Sequence, residues 1–293
     1  MRIAVTGGAG FIGSNLVEKL LEEHDVTVID NLSSGQEENV PEAAELLETD
    51  IKQGVELEGF DSVFHLAANP KVNTFPGDRE KDFDENLAGT KKVLDSAADA
   101  EIDNLVFASS SVVYGEDAEI PTPEDHPKEP ISMYGATKIG GEQMCRVYAH
   151  TFDFELSIVR LANIVGERNR KGVIYDFVQK LRENPEELEI LGNGKQKKSY
   201  LHVDDTVEGI IAAWKNPGVY NIGNEDSTSV DEIADIVSEE MGLSPEYSYT
   251  GGEKGWTGDV PEMRLAIEKL KNTGWKPSIS SNEAVRKTVQ ELL

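Results

Sequence analysis

Short apolar runs alternate with longer amphipathic segments through the first half of the chain. Residues 3–6 are short and apolar, as in a buried strand, whereas residues 11–21 carry their apolar side chains on one helical stripe. The same alternation predicts strands at 26–30, 46–50, 62–66, 105–108 and 156–160, and helices at 82–98 and 132–150. Repeated strand–helix units give parallel strands with right-handed crossovers, so the pattern predicts an α/β fold with a Rossmann-type doubly wound sheet.

The pattern of apolar and charged residues changes after Gly166. Charged helices are expected near 175–183 and 229–241, separated by turns rich in Gly, Pro and Asn, and residues 219–223 resemble a strand that returns to the main sheet. We therefore predict a first domain over 1–166, completed by the strand near 219–223. The rest, 167–293, forms mainly a smaller, interleaved C-terminal α/β domain.

The first predicted strand runs directly into a glycine turn and a helix. Glycines recur with the spacing G-x-x-G-x-x-G, and the helix that follows offers unpaired N–H groups and a partial positive charge to an anion. A tight turn alone is the alternative, but the position between a strand and a helix favours a dinucleotide pyrophosphate site. The residues expected to form it are Gly7, Gly10, Phe11, Ile12 and Gly13.

An acidic residue, Asp30, ends the second predicted strand. A carboxylate there can accept hydrogen bonds from an adenosine ribose, and it repels a 2′-phosphate. The following segment contains no Arg or Lys that could hold such a phosphate, and it supplies the candidate contacts Asn31, Ser34 and Gly35. NAD is therefore the predicted cofactor rather than NADP; the alternative is that Asp30 only closes a turn.

Two further strand ends are expected at the same edge of the sheet. Asp50 and Ile51, after the third strand, suit the adenine edge. Small side chains after the fourth strand let a cofactor approach the backbone, and the residues concerned are Leu66, Ala67 and Ala68.

Tyr134 and Lys138 lie one turn apart on the same face of a predicted helix. We expect the ammonium group to lower the pKa of the phenol, so that Tyr134 exchanges a proton near neutral pH. Ser110 lies at the carboxyl end of the fifth predicted strand, where ligands of open α/β sheets bind. With a nicotinamide, these groups can move a hydride to or from a carbon that bears a hydroxyl. An exposed helical pair and a turn serine are the alternatives.

The charge of the chain limits its partners. Fifty-five acidic residues face 28 basic ones, a formal net charge of −27, which argues against nucleic acid and anionic membranes. No apolar run approaches the roughly 20 residues of a membrane span, no signal peptide is evident, and Cys145 is the single cysteine, so we expect a cytoplasmic protein. The acidity fits either a well-solvated surface or a salty cytoplasm.

Several motifs together resemble one superfamily. They are Thr6-Gly-Gly-Ala-Gly-Phe-Ile-Gly13, Asp30-Asn-Leu-Ser-Ser-Gly35, His65-Leu-Ala-Ala68, Asn86-Leu-Ala-Gly-Thr90, Ala108-Ser-Ser-Ser-Val-Val-Tyr-Gly115, Tyr134-Gly-Ala-Thr-Lys138, Arg160-Leu-Ala-Asn163 and Ser199-Tyr-Leu-His-Val-Asp-Asp205. The chain resembles the extended short-chain dehydrogenase/reductases and, among them, the NAD-dependent nucleotide-sugar epimerases similar to UDP-glucose 4-epimerase.

The resemblance implies a role for each matching residue. Tyr134 is expected to act as acid and base on a sugar hydroxyl, with Ser110 bonded to the same hydroxyl and Lys138 on the nicotinamide ribose. Asn86 is expected near the cofactor, where it helps to order the catalytic helix. The implied cofactor contacts include Asn86, Ser109, Tyr134 and Lys138, and the implied substrate contacts are Ser110, Ser111, Asn163, Val173, Ile174, Lys198, Tyr200 and Arg264.

The scaffold supports several reactions, and one loop separates them. Related sugar dehydratases carry an Asp-Glu pair where this chain has Ser111 and Val112, so elimination of water lacks its second acid/base group. Together with this departure, the resemblance implies inversion of C4 of a nucleotide-diphosphate sugar, of the UDP-glucose/UDP-galactose type, through a transient 4-keto intermediate. The alternatives are an NAD(P)-dependent nucleotide-sugar reductase or dehydrogenase and a non-catalytic NAD-binding interaction protein.

The second domain departs from the usual pattern. Trp256 stands where relatives commonly place an arginine on the diphosphate, and Lys198 replaces a second arginine; Arg264 or Lys254 are candidates to compensate. Residues 71–77 are expected near the sugar, whose identity stays open. The five histidines show no metal-ligand spacing, so no metal is predicted. The resemblance also implies a homodimer through the helices at 82–98 and 132–150.

Overall fold

The computed structural model describes residues 1–69, 71, 78, 80–252 and 260–293. Fourteen strands are found in these residues: β1 (Arg2–Thr6), β2 (Asp25–Asp30), β3 (Glu45–Glu48), β4 (Ser62–His65), β5 (Asn104–Ser110), β6 (Glu155–Leu161), β7 (Asn163–Val165), β8 (Glu187–Ile190), β9 (Lys197–Lys198), β10 (Tyr200–His202), β11 (Gly218–Ile222), β12 (Thr228–Ser229), β13 (Glu246–Tyr249) and β14 (Glu262–Met263). The α-helices of the same residues are α1 (Phe11–Leu20), α2 (Gly89–Asp99), α3 (Met133–Phe152), α4 (Val173–Glu183), α5 (Val203–Lys215), α6 (Val230–Glu240), α7 (Glu268–Lys271) and α8 (Ser281–Leu292).

The central sheet has seven strands in the order β11-β6-β5-β4-β1-β2-β3. Strands β3, β2, β1, β4 and β5 pair in parallel, with Val5 opposite Val28 on one side and Phe64 on the other. The order of the first six strands is that of the Rossmann fold, in which ligands bind where the strand order reverses. The predicted doubly wound fold is confirmed, and the reversal lies between β1 and β4.

The protein consists of two compact units, each built from several segments of the chain. Unit 1 comprises residues 1–115, 127–160 and 207–220; unit 2 comprises 116–126, 161–206 and 221–293. In unit 1 the buried stripe of α1, which includes Leu16, Val17 and Leu20, is the one that the apolar spacing predicts. A second apolar layer of unit 1 is built from side chains that include Val63, Leu94, Phe107 and Ile158.

Unit 2 has its own core between short strands and three helices. β13 pairs in parallel with β8, and β10 with β7, while α4, α6 and α8 contribute Phe177, Ile233 and Val285 to the core. Helices α6 and α8 both begin with a capping box, in which Ser229 and Ser280 exchange hydrogen bonds with a glutamate three residues later.

The helix predicted over 82–98 is not uniform. Its first part, Phe83–Ala88, is a π-helical turn, and the α-helix begins only at Gly89. Asn86 in the wide turn is 2% exposed, and its amide oxygen accepts a hydrogen bond from the backbone N–H of Asn69 at 2.7 Å. A wide turn of this kind is often found at functional sites, and a hydrophobic pattern alone does not reveal it. No helix in the described ranges is long and apolar enough to cross a membrane.

Candidate active site

The turn between β1 and α1 leaves no room for side chains. Gly7 has φ +74°, and a Cβ built on it would lie 2.7 Å from the backbone N of Ala67. A Cβ on Gly13 would lie 2.1 Å from the carbonyl oxygen of Gly7. Glycine is therefore required at both positions, because any side chain would push the two backbone segments apart.

The start of α1 is open to an anion. Gly10 is the N-cap residue, no side chain caps the helix among the described residues, and the first turn carries no acidic side chain. The N–H groups at Phe11, Ile12 and Gly13 belong to the first turn, where the helix dipole is positive. A glycine-lined cradle beside an uncapped helix N-terminus fits the pyrophosphate of a dinucleotide.

Asp30 connects this turn to the loop that follows β2. Its carboxylate accepts hydrogen bonds from the backbone N–H of Ala9 at 3.1 Å and of Leu32 at 2.9 Å. The loop is drawn against the glycine turn, since a Cβ on Gly35 would lie 2.8 Å from the Cβ of Ala9. Asn31 and Ser34 in this loop are exposed. The structure therefore brings together the residues predicted for the pyrophosphate and for the adenosine ribose.

The two remaining strand ends differ from each other. The N–H of Leu66 donates to the carbonyl of Thr6 at 3.0 Å, so residues 66–68 lie beside the glycine turn, with Ala67 against Gly7. Asp50 caps a short 3₁₀ turn by accepting from the N–H of Lys52 at 3.0 Å. The side chain of Ile51 is 8% exposed and belongs to the core of unit 1.

Tyr134 is the second residue of α3, and the structure places it beside the end of β5. Ser132 caps the helix by accepting from the N–H of Gly135 at 3.1 Å. Ser110 is the last residue of β5, and its hydroxyl lies near enough to the phenol of Tyr134 to lower the pKa of that phenol, in opposition to burial. Both residues are half-buried. The pair predicted to act on one substrate hydroxyl therefore lies at the carboxyl edge of the parallel sheet.

Lys138 lies one helical turn further, and its side chain is 4% exposed. Its Nζ donates to the carbonyl of Ala108 at 2.8 Å and lies 5.0 Å from the centre of the Phe107 ring and 5.8 Å from that of Tyr134. Burial lowers the pKa of Lys138 to about 8, so the ammonium form still predominates at neutral pH.

The prediction that the pKa of Tyr134 is lowered is wrong for the ligand-free chain. Burial raises the pKa of Tyr134 to about 12; the hydrogen bond from Ser110 opposes this rise, and the nearby carboxylate of Asp82 adds to it. The sequence shows that Lys138 and Tyr134 share a helix face, but not that the ammonium group bonds to the carbonyl of Ala108. In the ligand-free chain Tyr134 is therefore a neutral phenol at neutral pH.

A chain of amide and hydroxyl groups connects the π-helical turn to α3. The amide nitrogen of Asn86 donates to the hydroxyl of Thr137 at 3.3 Å, and that hydroxyl donates to the carbonyl of Tyr134 at 2.9 Å. Asn69 donates to the carboxylate of Asp82 at 2.8 Å. The contact from Asn86 reaches the helix turn that carries Tyr134.

The sequence reasoning missed a buried polar group in unit 1. Glu142 and Arg160 form an ion pair, and Ser109 and Tyr114 are hydrogen-bonded to it. The hydroxyl of Ser109, a predicted cofactor contact, donates to Glu142 at 2.6 Å. One signal was available: Glu142 follows Lys138 by four residues and therefore lies on the same helix face as Tyr134 and Lys138.

The residues predicted to contact substrate in unit 2 lie in varied surroundings. The amide nitrogen of Asn163 donates to the carbonyl of Ser199 at 3.0 Å, and Nη1 of Arg264 donates to the carbonyl of Glu225 at 2.8 Å. Ile174 and Tyr200 are 4% and 6% exposed and pack in the core of unit 2. Val173 and Lys198 are half-buried, as is Ser111 in unit 1. Lys254, Trp256 and the residues 72–77 lie outside the described residues.

Comparisons with known proteins show the family of the chain. The profile of the NAD dependent epimerase/dehydratase family matches residues 3–223. UDP-glucose 4-epimerase of Mycolicibacterium smegmatis is 32% identical over 311 residues, which cover 99% of this chain and 98% of that protein.

Two solved structures superpose over nearly the whole chain. A UDP-galactose 4-epimerase shows 48% identity and a TM-score of 0.92, over 99% of this chain and 98% of that one. The UDP-glucose 4-epimerase of Thermotoga maritima, solved with UDP-glucose, shows 32% identity and a TM-score of 0.91, with the same coverage.

Proposed function

The chain belongs to the NAD dependent epimerase/dehydratase family, and from this membership we infer that it inverts C4 of a nucleotide-diphosphate sugar of the UDP-glucose/UDP-galactose type. The observation that carries the proposal is that Ser110, at the end of β5, and Tyr134, in the first turn of α3, lie close together at the carboxyl edge of the sheet. The full-length relatives named 4-epimerases favour epimerisation over a one-way reductase or dehydrogenase.

Unit 1 is proposed to hold NAD. Gly7, Gly10 and the first turn of α1 would hold its pyrophosphate, and Asp30 with the loop after it would hold its adenosine. The remaining proposed NAD contacts are residues 66–68, Asn86, Ser109 and Lys138. The bound cofactor supplies an acceptor and donor of hydride for C4 of the sugar, together with a positive charge in its oxidised form.

Tyr134 is proposed to carry the proton of the sugar 4-hydroxyl. Because burial raises the pKa of Tyr134 to about 12, the phenolate needs help from its surroundings. Ser110 gives part of that help by a hydrogen bond that favours the phenolate, and Lys138, cationic below about pH 8, adds a nearby positive charge. As a phenol, the same residue returns the proton when the hydroxyl forms again on the other face.

Unit 2 is proposed to hold the nucleotide diphosphate. Its candidate side chains are Asn163, Lys198 and Arg264, with Val173 beside the nucleotide, whereas the side chains of Ile174 and Tyr200 are buried in the core of unit 2. Ser111 of unit 1 is the further substrate contact. Lysine supplies charge without the bidentate fork of arginine, so we expect the diphosphate to be held mainly by single charge-assisted hydrogen bonds.

A homodimer through α2 and α3 is part of the proposal, as is a cytoplasmic location. Val147 and Phe152 on α3 are 61% and 51% exposed, so this helix offers apolar side chains that a partner can cover. A second copy of the same helices is the partner that the family resemblance suggests. Light scattering of the protein and of Val147→Glu measures the mass; a monomeric wild-type protein contradicts the dimer.

The test is incubation with UDP-, GDP- and dTDP-linked sugars, followed by chromatographic separation of the products. We expect conversion of UDP-glucose to UDP-galactose, or of the reverse pair, without net change of absorbance at 340 nm. Stoichiometric formation of NADH with added NAD would instead identify a dehydrogenase. Absence of any epimer across the panel contradicts the proposed function.

A further inference from the structure

A completely buried ion pair lies behind the catalytic groups of unit 1. The side chains of Glu142 and Arg160 are 0% and 1% exposed. Nε and Nη2 of Arg160 donate to the two carboxylate oxygens of Glu142 at 2.9 and 2.7 Å, a bidentate arrangement. A buried pair of this kind is often no more stable than well-packed apolar side chains of similar volume, so stability alone does not explain it.

The pair joins four separate segments. The carboxylate of Glu142, on α3, also accepts from the hydroxyl of Ser109 at 2.6 Å, one residue before the end of β5. Arg160, on β6, donates from Nη1 to the hydroxyl of Tyr114 at 2.8 Å, and Tyr114 ends the turn that follows Ser110. The hydrogen bonds of the ion pair with Ser109 and Tyr114 therefore lead to segments that hold or border the reacting groups.

Ser110 and Tyr134 are both close along the chain or the helix face to groups that this ion pair contacts. Ser110 is bonded along the chain to Ser109, and Tyr134 lies two helical turns before Glu142 on the same face. The ion pair thus connects the end of β5 with α3, the two elements that carry Ser110 and Tyr134. The charge of Glu142 also raises the pKa of Lys138, in opposition to burial.

We propose that Glu142 and Arg160 are positioning residues, which hold the end of β5 against α3 so that Ser110 and Tyr134 meet one substrate hydroxyl. The kinetic part of this proposal rests on the proposed function, whereas the geometric part concerns the ligand-free protein. Small errors in such an alignment slow the reaction strongly, since a displacement of about 1 Å can lower a rate by about 10²-fold.

Removal of both charges separates positioning from stability. Glu142→Gln and Arg160→Gln singly leave one buried partner unmatched, so both are expected to lower the melting temperature and kcat. In the double variant Glu142→Met/Arg160→Met no charge is left unpaired, and thermal stability should return. We expect its kcat to stay about 100-fold low, with KM changed by less than about threefold. A double variant with wild-type kcat overturns the proposal.

A milder pair of variants decides the matter if the double variant does not fold. Tyr114→Phe removes only the hydroxyl that accepts from Arg160, and we expect kcat to fall about tenfold. Ser157→Ala is the matched control, because this buried residue of β6 loses a comparable hydrogen bond, to the carbonyl of Ala213 at 2.7 Å, away from the site. Equal kcat values for the two variants contradict a positioning role.

A spectroscopic readout makes the test independent of turnover. The ¹³Cζ resonance of Tyr134, assigned among the eight tyrosines by its loss in Tyr134→Phe, reports the hydrogen bond of the phenol. We expect it to shift or broaden in Tyr114→Phe and in the Met double variant, and to stay in place in Ser157→Ala. An unmoved resonance in both test variants overturns the proposal even if the wild-type protein epimerises no sugar; a moved resonance without epimerisation counts against the proposed function alone.

Discussion

The two halves of the candidate site in unit 1 are built from different parts of the polypeptide. Around Gly7 and Gly13 the backbone forms the site, and a single added Cβ would collide with it. Around Tyr134 the site consists of side chains supported by other buried side chains, above all Glu142 and Arg160. The backbone cradle depends on local spacing in the sequence, whereas the catalytic cluster depends on contacts between segments distant along the chain.

The largest effect is expected in the side-chain half. Tyr134→Phe removes the proton-transfer group, and because general acid–base catalysis contributes about 10²–10⁴-fold, kcat should fall by that factor. Epimerisation kinetics measure the change. Tyr148→Phe is the matched control, since this tyrosine of the same helix donates to Asp95 at 2.6 Å in unit 1 and has no role in the proposed reaction. A Tyr134→Phe enzyme within threefold of wild type would remove Tyr134 from the mechanism.

The next effect tests the backbone half. Gly13→Ala places a Cβ 2.1 Å from the carbonyl oxygen of Gly7, so the turn must open. Overpacking of this kind costs about 1–3 kcal/mol, and the dissociation constant for NAD should rise about 10- to 100-fold, as measured by calorimetry. Gly10→Ala is the graded comparison, because its Cβ would lie 3.2 Å from the same oxygen and should weaken NAD binding less. The reverse order of the two variants contradicts the backbone description.

Burial of Lys138 affects the stability of the folded chain. Because burial lowers the pKa of Lys138 to about 8, well below its unfolded value, the unfolded chain binds more protons between about pH 8 and 10. Lys138 therefore destabilises the folded state most below pH 8, and this penalty fades as the pH rises towards 10. Lys138→Met should raise the free energy of unfolding at pH 7 by about 2 kcal/mol, after allowance for the lost hydrogen bond to Ala108.

Denaturant titrations at pH 7 and pH 10 check that prediction. The difference between Lys138→Met and wild type should shrink at pH 10. Lys52→Met serves as the control, since Lys52 is exposed on a turn of unit 1 and its substitution should change stability little at either pH. A Lys138→Met protein that is less stable than wild type at pH 7 shows that burial of this ammonium group is not costly.

The smallest expected effect is on the choice of dinucleotide. Asp30→Asn keeps an acceptor oxygen for the N–H groups of Ala9 or Leu32 but removes the charge that repels a 2′-phosphate. The preference for NAD over NADP should fall about tenfold, because repulsion near a protein surface is worth about 1 kcal/mol or more. Binding titrations with both dinucleotides measure it. Glu48→Gln, opposite Asp30 on β3, changes the net charge equally and should leave the preference unchanged.

The sequence predicts the backbone half of the site better than the side-chain half. The glycine spacing, Asp30 and the strand–helix alternation are local, so the fold and the cradle follow from them. The partner of Glu142 is 18 residues away on a strand, and no periodicity connects a helix position to that strand position. The raised pKa of Tyr134 depends on how deeply the phenol is buried and on Asp82, neither of which can be derived from the spacing of Tyr134 and Lys138.

In unit 2 the sequence also does not predict the direction in which apolar side chains point. Ile174 and Tyr200 were assigned to substrate from motif position, yet their side chains lie in the core of the unit. A sequence motif marks a position along the chain, while the direction of its side chain depends on the helices that pack around it. The π-helical turn at Phe83–Ala88 is a related case, because apolar spacing does not reveal the wide turn in which Asn86 accepts its hydrogen bond from Asn69.

The place of β11 in the central sheet has a consequence for synthesis of the protein. β11 lies at Gly218–Ile222, and it is the neighbour of β6, which ends at Leu161. After β6 has emerged from the ribosome, the chain must therefore grow by more than 55 residues before the last strand of the sheet emerges. During this interval β6 has an open edge to which another nascent chain could add. A chaperone that shields this edge during translation should raise the yield of folded protein more than one that acts after release.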